Sequence, residues 1–293
     1  MSVRPRDDGL IGPDAVAWRV IGHPGALIGG LRSLILQSLH PHAMAGVDQH
    51  SDYSHRPLDR LRRTTFYVAA TAYGDTETAA TAVEHVQRRH AKVRGIDPVT
   101  GQAYSAADPE TQLWVHCTEW HSFLAAYRVF GPGLSTVEED RYFAEGAVIG
   151  SLLGTPPEKV PSSAAEMRAY FERMQAQLCV SEAARGAIDF VVNPRPTRDI
   201  LAYYLPLRVY ASAAVSLVPR EARRVARIER PRAVDAAAIA AAVPLLGASR
   251  LPLVNRLARA VVGERTLELI DSRLRPAGAP AGAAVEQALR QAA

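Results

Sequence analysis

The sequence predicts an all-α protein. Alanine is abundant, alternation of β-branched with polar residues is nearly missing, and helix start and stop signals come in pairs. In order along the chain, the apolar run Gly25–Leu39 reads as a buried helix, followed by helices over Pro57–Tyr73 and Thr76–Val93. Asp108-Pro109-Glu110 opens the next one, with Asp at the cap and Pro in the first turn, and Gly131-Pro132-Gly133 stops it after Phe130. Ser135 and Glu138 form a capping box for a helix ending at Gly154, before Pro156-Pro157. Ser163 and Glu166 repeat the device. Ser181–Val191 and Asp199–Leu217 are the remaining long helices, and shorter ones in the Ala-rich last third bring the expectation to about nine to eleven. HPHAMAG, GIDPVTGQAYSAADP and NPRPT read as loops or turns. One helical domain is expected over 12–275, with a low-complexity tail at 276–293.

Composition narrows the function. The chain has 293 residues, 48% of them apolar, which is ample for a deep core. Two cysteines, Cys117 and Cys179, cannot build a disulfide framework, a four-cysteine zinc site or an iron–sulfur cluster. The absence of C-x-x-C-H excludes covalent c-type haem. A net charge of +4, from 34 basic and 30 acidic residues, is too small and mixed for nucleic acid. The densest basic run, Arg220–Arg232, carries Glu221 and Glu229 and reads as a solvated helical face. The N-terminal residues lack the apolar core of a signal peptide, and Arg32 and Gln37 interrupt the longest apolar stretch. A soluble protein of the cytoplasm, without a transmembrane segment, is the expectation.

All nine histidines lie between His23 and His121, and all but two of the basic residues, Lys92 and Lys159, are arginine. No Glu is followed three residues later by His, so the carboxylate-bridged di-iron pattern is missing. H-E-x-x-H and G-x-S-x-G are missing too. His40-Pro41-His42 suits either a metal chelate or a helix end. His85 and His90 lie about 140° apart on a helix, and His90 shares its stripe with Val83, Val86 and Val93. That placement fits a core histidine satisfied by carbonyls, or a neutral imidazole presented to a haem iron. Arg60, Arg63, Thr64 and Tyr67 share another stripe, which suits either carboxylates such as haem propionates or a solvent face paired with Asp59 or Asp75. His116, Glu119 and Trp120 form one cluster, and Tyr142 with Glu145 a second. Each suits support for a pocket or a polar lock between helices.

Four runs together resemble the MpaB-type oxygenase family, which includes the rubber oxygenases (latex-clearing proteins) and the fungal oxygenase of mycophenolic acid biosynthesis. They are Trp18–Ser51, Asp59–Asp75 (DRLRRTTFYVAATAYGD), Val86–Trp120 (VQRRHAKVRGIDPVTGQAYSAADPETQLWVHCTEW) and Leu134–Gly154. The resemblance implies a globin-like core holding non-covalent haem b, with His90 at the position of the proximal iron ligand. It places Arg60, Arg63 and Thr64 on the distal Arg-x-x-Lys-Thr motif, Arg63 standing where rubber oxygenases have Lys. Arginine stays protonated and cannot ligate iron, so the resemblance implies a sixth position that is open or holds water. It also implies that Arg60 and Arg63 polarise bound dioxygen or hold a propionate and that Thr64 donates a hydrogen bond, with Tyr67, His116 and Glu119 supporting the pocket. The glutamate that rubber oxygenases use as a base has no counterpart, since only Asp48 and Asp52 are acidic between His40 and His55. The implied activity is a haem b-dependent oxygenase using dioxygen on a small hydrophobic molecule, unsaturated ones included. A non-catalytic haem- or lipid-binding sensor or carrier is the alternative.

Overall fold

Among the described residues the longest helix, α6 (Pro109–Phe130), supplies a large share of the buried core. Its start follows the sequence signal: Asp108 accepts hydrogen bonds from the Glu110 and Thr111 amides at 3.0 Å each. Trp114, Cys117 and Leu124 on this helix are fully buried. The computed structural model describes residues 5–51, 53, 55–196, 200–249 and 251–274. The tail expected at 276–293, the proposed helix start at Asp199, and Asp52 lie outside the described residues.

Among the described residues there are fourteen α-helices and one two-stranded hairpin. The first five helices are α1 (Val16–Ile21), α2 (Ala26–Gln37), α3 (Pro41–His50), α4 (Pro57–Tyr73) and α5 (Thr76–His90). The hairpin β1 (Arg94–Ile96) and β2 (Ala103–Ser105) precedes α6. Then come α7 (Thr136–Ser151), α8 (Ala164–Met174), α9 (Glu182–Val192), α10 (Tyr204–Leu217) and α11 (Arg220–Ala226). The chain closes with α12 (Arg232–Ala248), α13 (Pro252–Val262) and α14 (Glu264–Leu274). The all-α expectation holds.

Glycine sets how closely the layers approach. A Cβ on Gly29 of α2 would lie 2.8 Å from the Ser122 carbonyl oxygen of α6, so the two backbones touch there. α10 packs on the outside of α2, and α12 on α10. On the other side, α4 and α5 form an antiparallel pair, and α13 and α14 lie on α4. That last contact is polar: Arg62 donates to the Ala260 carbonyl at 2.6 Å, Thr65 to that of Val262 at 2.8 Å, and Arg273 to that of Tyr73 at 2.9 Å.

Several expectations need correction. HPHAMAG is not a loop: His40 caps α3, its Nδ1 accepting from the Ala43 amide at 3.4 Å, and Pro41 is the first helical residue. GIDPVTGQAYSAADP contains the hairpin, whose turn is built by Asp97. The buried Asp97 carboxylate accepts from the amides of Val99 and Thr100 and from the Thr100 hydroxyl. α5 therefore ends at His90, where the Val93 amide closes a turn onto the His90 carbonyl at 3.0 Å. The basic run is not a simple solvated face. α11 stops at Arg227, which adopts the left-handed conformation (φ 57°), and Arg223 and Arg230 converge on Asp235 at 2.7 Å each.

Candidate functional site

The α4–α5 pair turns at Gly74-Asp75, and Asp75 caps α5 by accepting from the Thr78 amide at 2.9 Å. Counting back from that turn, Arg60 and His90 lie at the same level, about 20 Å along each helix. The hairpin thus brings the two strongest sequence candidates to one end. His90 is partly buried, with Nδ1 buried and without a hydrogen-bond partner. Desolvation lowers its pKa, so the imidazole is held neutral. Val83 of the same stripe is buried, and Val86 and Val93 are half-buried. One turn before His90, the Gln87 side chain donates through Nε2 to the Leu152 carbonyl at 2.8 Å, which ties this end of α5 to the C-terminal end of α7.

At that end of α7 two glycines seat the site face of α6. A Cβ on Gly146 would come within 2.5 Å of the Trp120 ring, and one on Gly150 within 2.8 Å of His116 Nε2. His116 and Trp120 lie against each other with ring centroids 5.6 Å apart. His116 makes no hydrogen bond, and burial drives its pKa down to about 4. One turn further on, burial alone raises the Glu119 carboxyl to about 7. Both side chains keep some accessible surface. Tyr67 of α4 and Tyr142 of α7 both feel the charge of Glu119, after the larger effect of their own burial, and both phenols are pushed upward. Tyr142 is committed, donating to the Trp120 carbonyl at 2.9 Å.

The polar stripe of α4 is covered at its ends and open in the middle. Arg60 is clasped by the α3–α4 connection: it donates to Ser51 Oγ at 2.7 Å and lies 5.8 Å over the Tyr53 ring. Burial lowers its pKa, with Tyr53 opposing and the charge of Arg63 adding to the shift. Tyr67 closes the other end, toward Glu119. Between them Arg63 and Thr64 are exposed, and the Thr64 hydroxyl donates to the Arg60 carbonyl at 3.1 Å. The stripe makes no ion pair with Asp59 or Asp75. Asp59 instead meets Arg62 at 3.6 Å, and Asp75 is the α5 cap.

Other candidates have structural duties. Glu145 accepts from the Val16 and Ala17 amides at 3.0 and 2.8 Å, so it anchors the start of α1 rather than pairing with Tyr142. His40 is buried with its pKa driven down to about 4, chiefly by desolvation. No cluster of three or more His, Cys, Asp or Glu among the described residues is placed to hold a bare metal ion. Sequence reasoning missed the buried Arg32, whose partners are all neutral: the Leu217 carbonyl at 2.8 Å, Ser122 Oγ at 2.5 Å and His121 Nδ1 at 3.2 Å. Its one signal is a charge inside the apolar run of α2.

The family model described as ER-bound oxygenase mpaB/B′/rubber oxygenase, catalytic domain, matches residues 18–248. The chain belongs to this oxygenase family. The match takes in α1 to α12 except the first two residues of α1, and with them α4, α5, α6 and α7, which carry His90, Arg60, His116 and Glu119 or pack against them. In this oxygenase-family chain α13 and α14 lie beyond the matched span and cover the outer side of α4. No curated protein and no solved structure matches the chain. No single helix among the described residues is long and apolar enough to cross a membrane.

Proposed function

We propose that this chain is a haem b-dependent oxygenase acting with dioxygen on a small hydrophobic molecule, unsaturated ones included. The observation that carries the reading is His90: a neutral imidazole with a buried, unpartnered nitrogen, level with Arg60, inside a domain of an oxygenase family. The residues fit the cofactor. His90 offers a neutral imidazole, the form in which histidine ligates haem iron. Arg63, exposed in the middle of the stripe, would be available to a haem propionate. Arg60 is held by Ser51 and Tyr53 and keeps a fixed positive charge beside the site. Bound haem would supply the iron that activates dioxygen. The protein's own part is to present the imidazole, hold the carboxylates, exclude water and keep ionisable groups neutral. Arg63, which stays protonated, would not itself ligate the iron.

Dioxygen consumption tests this reading. Protein expressed with a haem precursor, supplied with isoprenoids or unsaturated lipids, is expected to consume dioxygen, and His90→Ala is expected to abolish it. Haem-loaded protein that consumes none with any such compound would favour the sensor or carrier reading. That rival is favoured by the missing counterpart of the rubber-oxygenase glutamate.

A further inference from the structure

Arg32 is a buried cation with no anion beside it. Its side chain bonds only to the Leu217 carbonyl, Ser122 Oγ and His121 Nδ1. A buried charge without a counterion is costly, and a negative group placed nearby relieves that cost. The 3.2 Å contact with His121 also fixes the histidine. A guanidinium can only donate, so Nδ1 accepts, and the neutral ring carries its proton on Nε2. Burial, and after it the positive charges of Arg32 and Arg128, hold that ring neutral. Nε2 makes no hydrogen bond to the protein.

His121 lines a cavity of about 450 Å³ between α6, α7, α8 and α11. The walls are largely apolar, formed by Trp114, Phe143, Met167, Phe171 and Val225. Phe171 lies 4.6 Å from the His121 ring and 5.7 Å from the Trp114 ring, centroid to centroid. Arg128 and Arg168 also reach the cavity; Arg128 is paired with Glu139, and Arg168 makes no ion pair. Glu172 and Glu221 line it too, but both are exposed, where water and salt screen them, whereas buried Arg32 is unscreened. Trp114, His121 and Arg128 recur every seven residues on one face of α6. His116 and Glu119 lie roughly 140–160° around the helix from His121, so this cavity is on the opposite side of α6 from them.

We propose that this cavity binds a small apolar carboxylate, at a site separate from the one that holds His90. The acid group accepts from His121 Nε2–H, and its charge answers that of Arg32 on the far side of the ring. Arg168 is the second cation within reach of the acid group. The apolar body lies against Trp114, Met167 and Phe171, and the volume is that of an ordinary small-molecule site. A neutral molecule of the same shape fills the walls equally well but leaves Arg32 uncompensated. The site therefore selects the anion.

Calorimetric titration of the full chain with decanoate, at pH 7, tests this. One site is expected, with decan-1-ol binding about tenfold more weakly or worse, the worth of one hydrogen bond to a charged group. In protein carrying nitrogen-15 histidine, the His121 ring resonances are expected to shift with the same midpoint. Val225→Trp, which fills the cavity, should abolish binding, and Arg168→Ala should weaken it by up to about fivefold. His121→Phe keeps the aromatic contact with Phe171 and should lose the preference for decanoate over the alcohol. If His121→Phe fails to fold, the ring resonances and Val225→Trp decide. No decanoate binding, or equal affinity for decanoate and decan-1-ol, would overturn the proposal. Binding that leaves the His121 resonances unmoved, or that survives Val225→Trp, would overturn it as well. Decanoate that is lost in His90→Ala or displaced by haem would lie in the other site, which also contradicts the assignment.

Discussion

The backbone of Gly150 lies directly beneath the imidazole of His116, where a Cβ would come within 2.8 Å of both Cδ2 and Nε2. Alanine in a helix interior normally gains up to about 1 kcal/mol over glycine. Here the added methyl has to displace a packed ring, which costs about 1–3 kcal/mol. Gly150→Ala should therefore destabilise the protein, and chemical denaturation measures the sign. A stabilised Gly150→Ala would show that His116 is not seated on α7.

The pH dependence of stability isolates Glu119. Its pKa is 4.5 when the chain is unfolded and about 7 when folded. The folded state therefore holds the proton more tightly. Stability from this group is intact below pH 4.5, falls as pH rises toward 7, and stays reduced above it. Glu119→Gln should match the parent near pH 4 and exceed it at pH 8, by at most about 3 kcal/mol. His116 acts in the opposite sense. Its pKa falls from 6.5 to about 4 on folding, so its contribution is intact above pH 6.5 and is lost as pH falls toward 4. Urea unfolding at a series of pH values checks both signs.

Arg60 and Arg63 should separate into structure and ligand. Arg60→Ala removes the Ser51 bond and the Tyr53 contact, at a cost of about 1–2 kcal/mol in the haem-free protein. Arg63→Ala, on an exposed side chain, should change stability by less than about 0.5 kcal/mol. It should nevertheless weaken haem binding about fivefold, the worth of one exposed charge-assisted contact. Thermal melts and haem titrations of the two variants, run side by side, check this division.

Much of this was legible in the sequence, and the failures have common causes. α4 matches its expected bounds because Pro57 and Gly74 punctuate both ends, and α6 because Asp108 and Gly131 do. The His116–Glu119 stripe follows from helical spacing alone. That the Tyr67 phenol lies close enough to feel the charge of Glu119 does not, because it depends on how α4 sits relative to α6, set by tertiary packing. The same holds for Arg63 and Thr64: their stripe is real, but spacing cannot say that its ends are covered and its middle exposed. Three-residue strands carry no usable periodicity, so the hairpin reads as a loop. Arg32 and His121 are 89 residues apart, and no local pattern links them.

The central claim is that His90 presents a neutral imidazole to haem iron, and a haem titration followed at the Soret band tests it most directly. The parent protein is expected to bind one equivalent with a histidine-ligated spectrum. His90→Ala should lose that spectrum while its far-ultraviolet circular dichroism stays unchanged. A parent protein that takes up no haem, or a His90→Ala variant with the same Soret band and affinity, would contradict it.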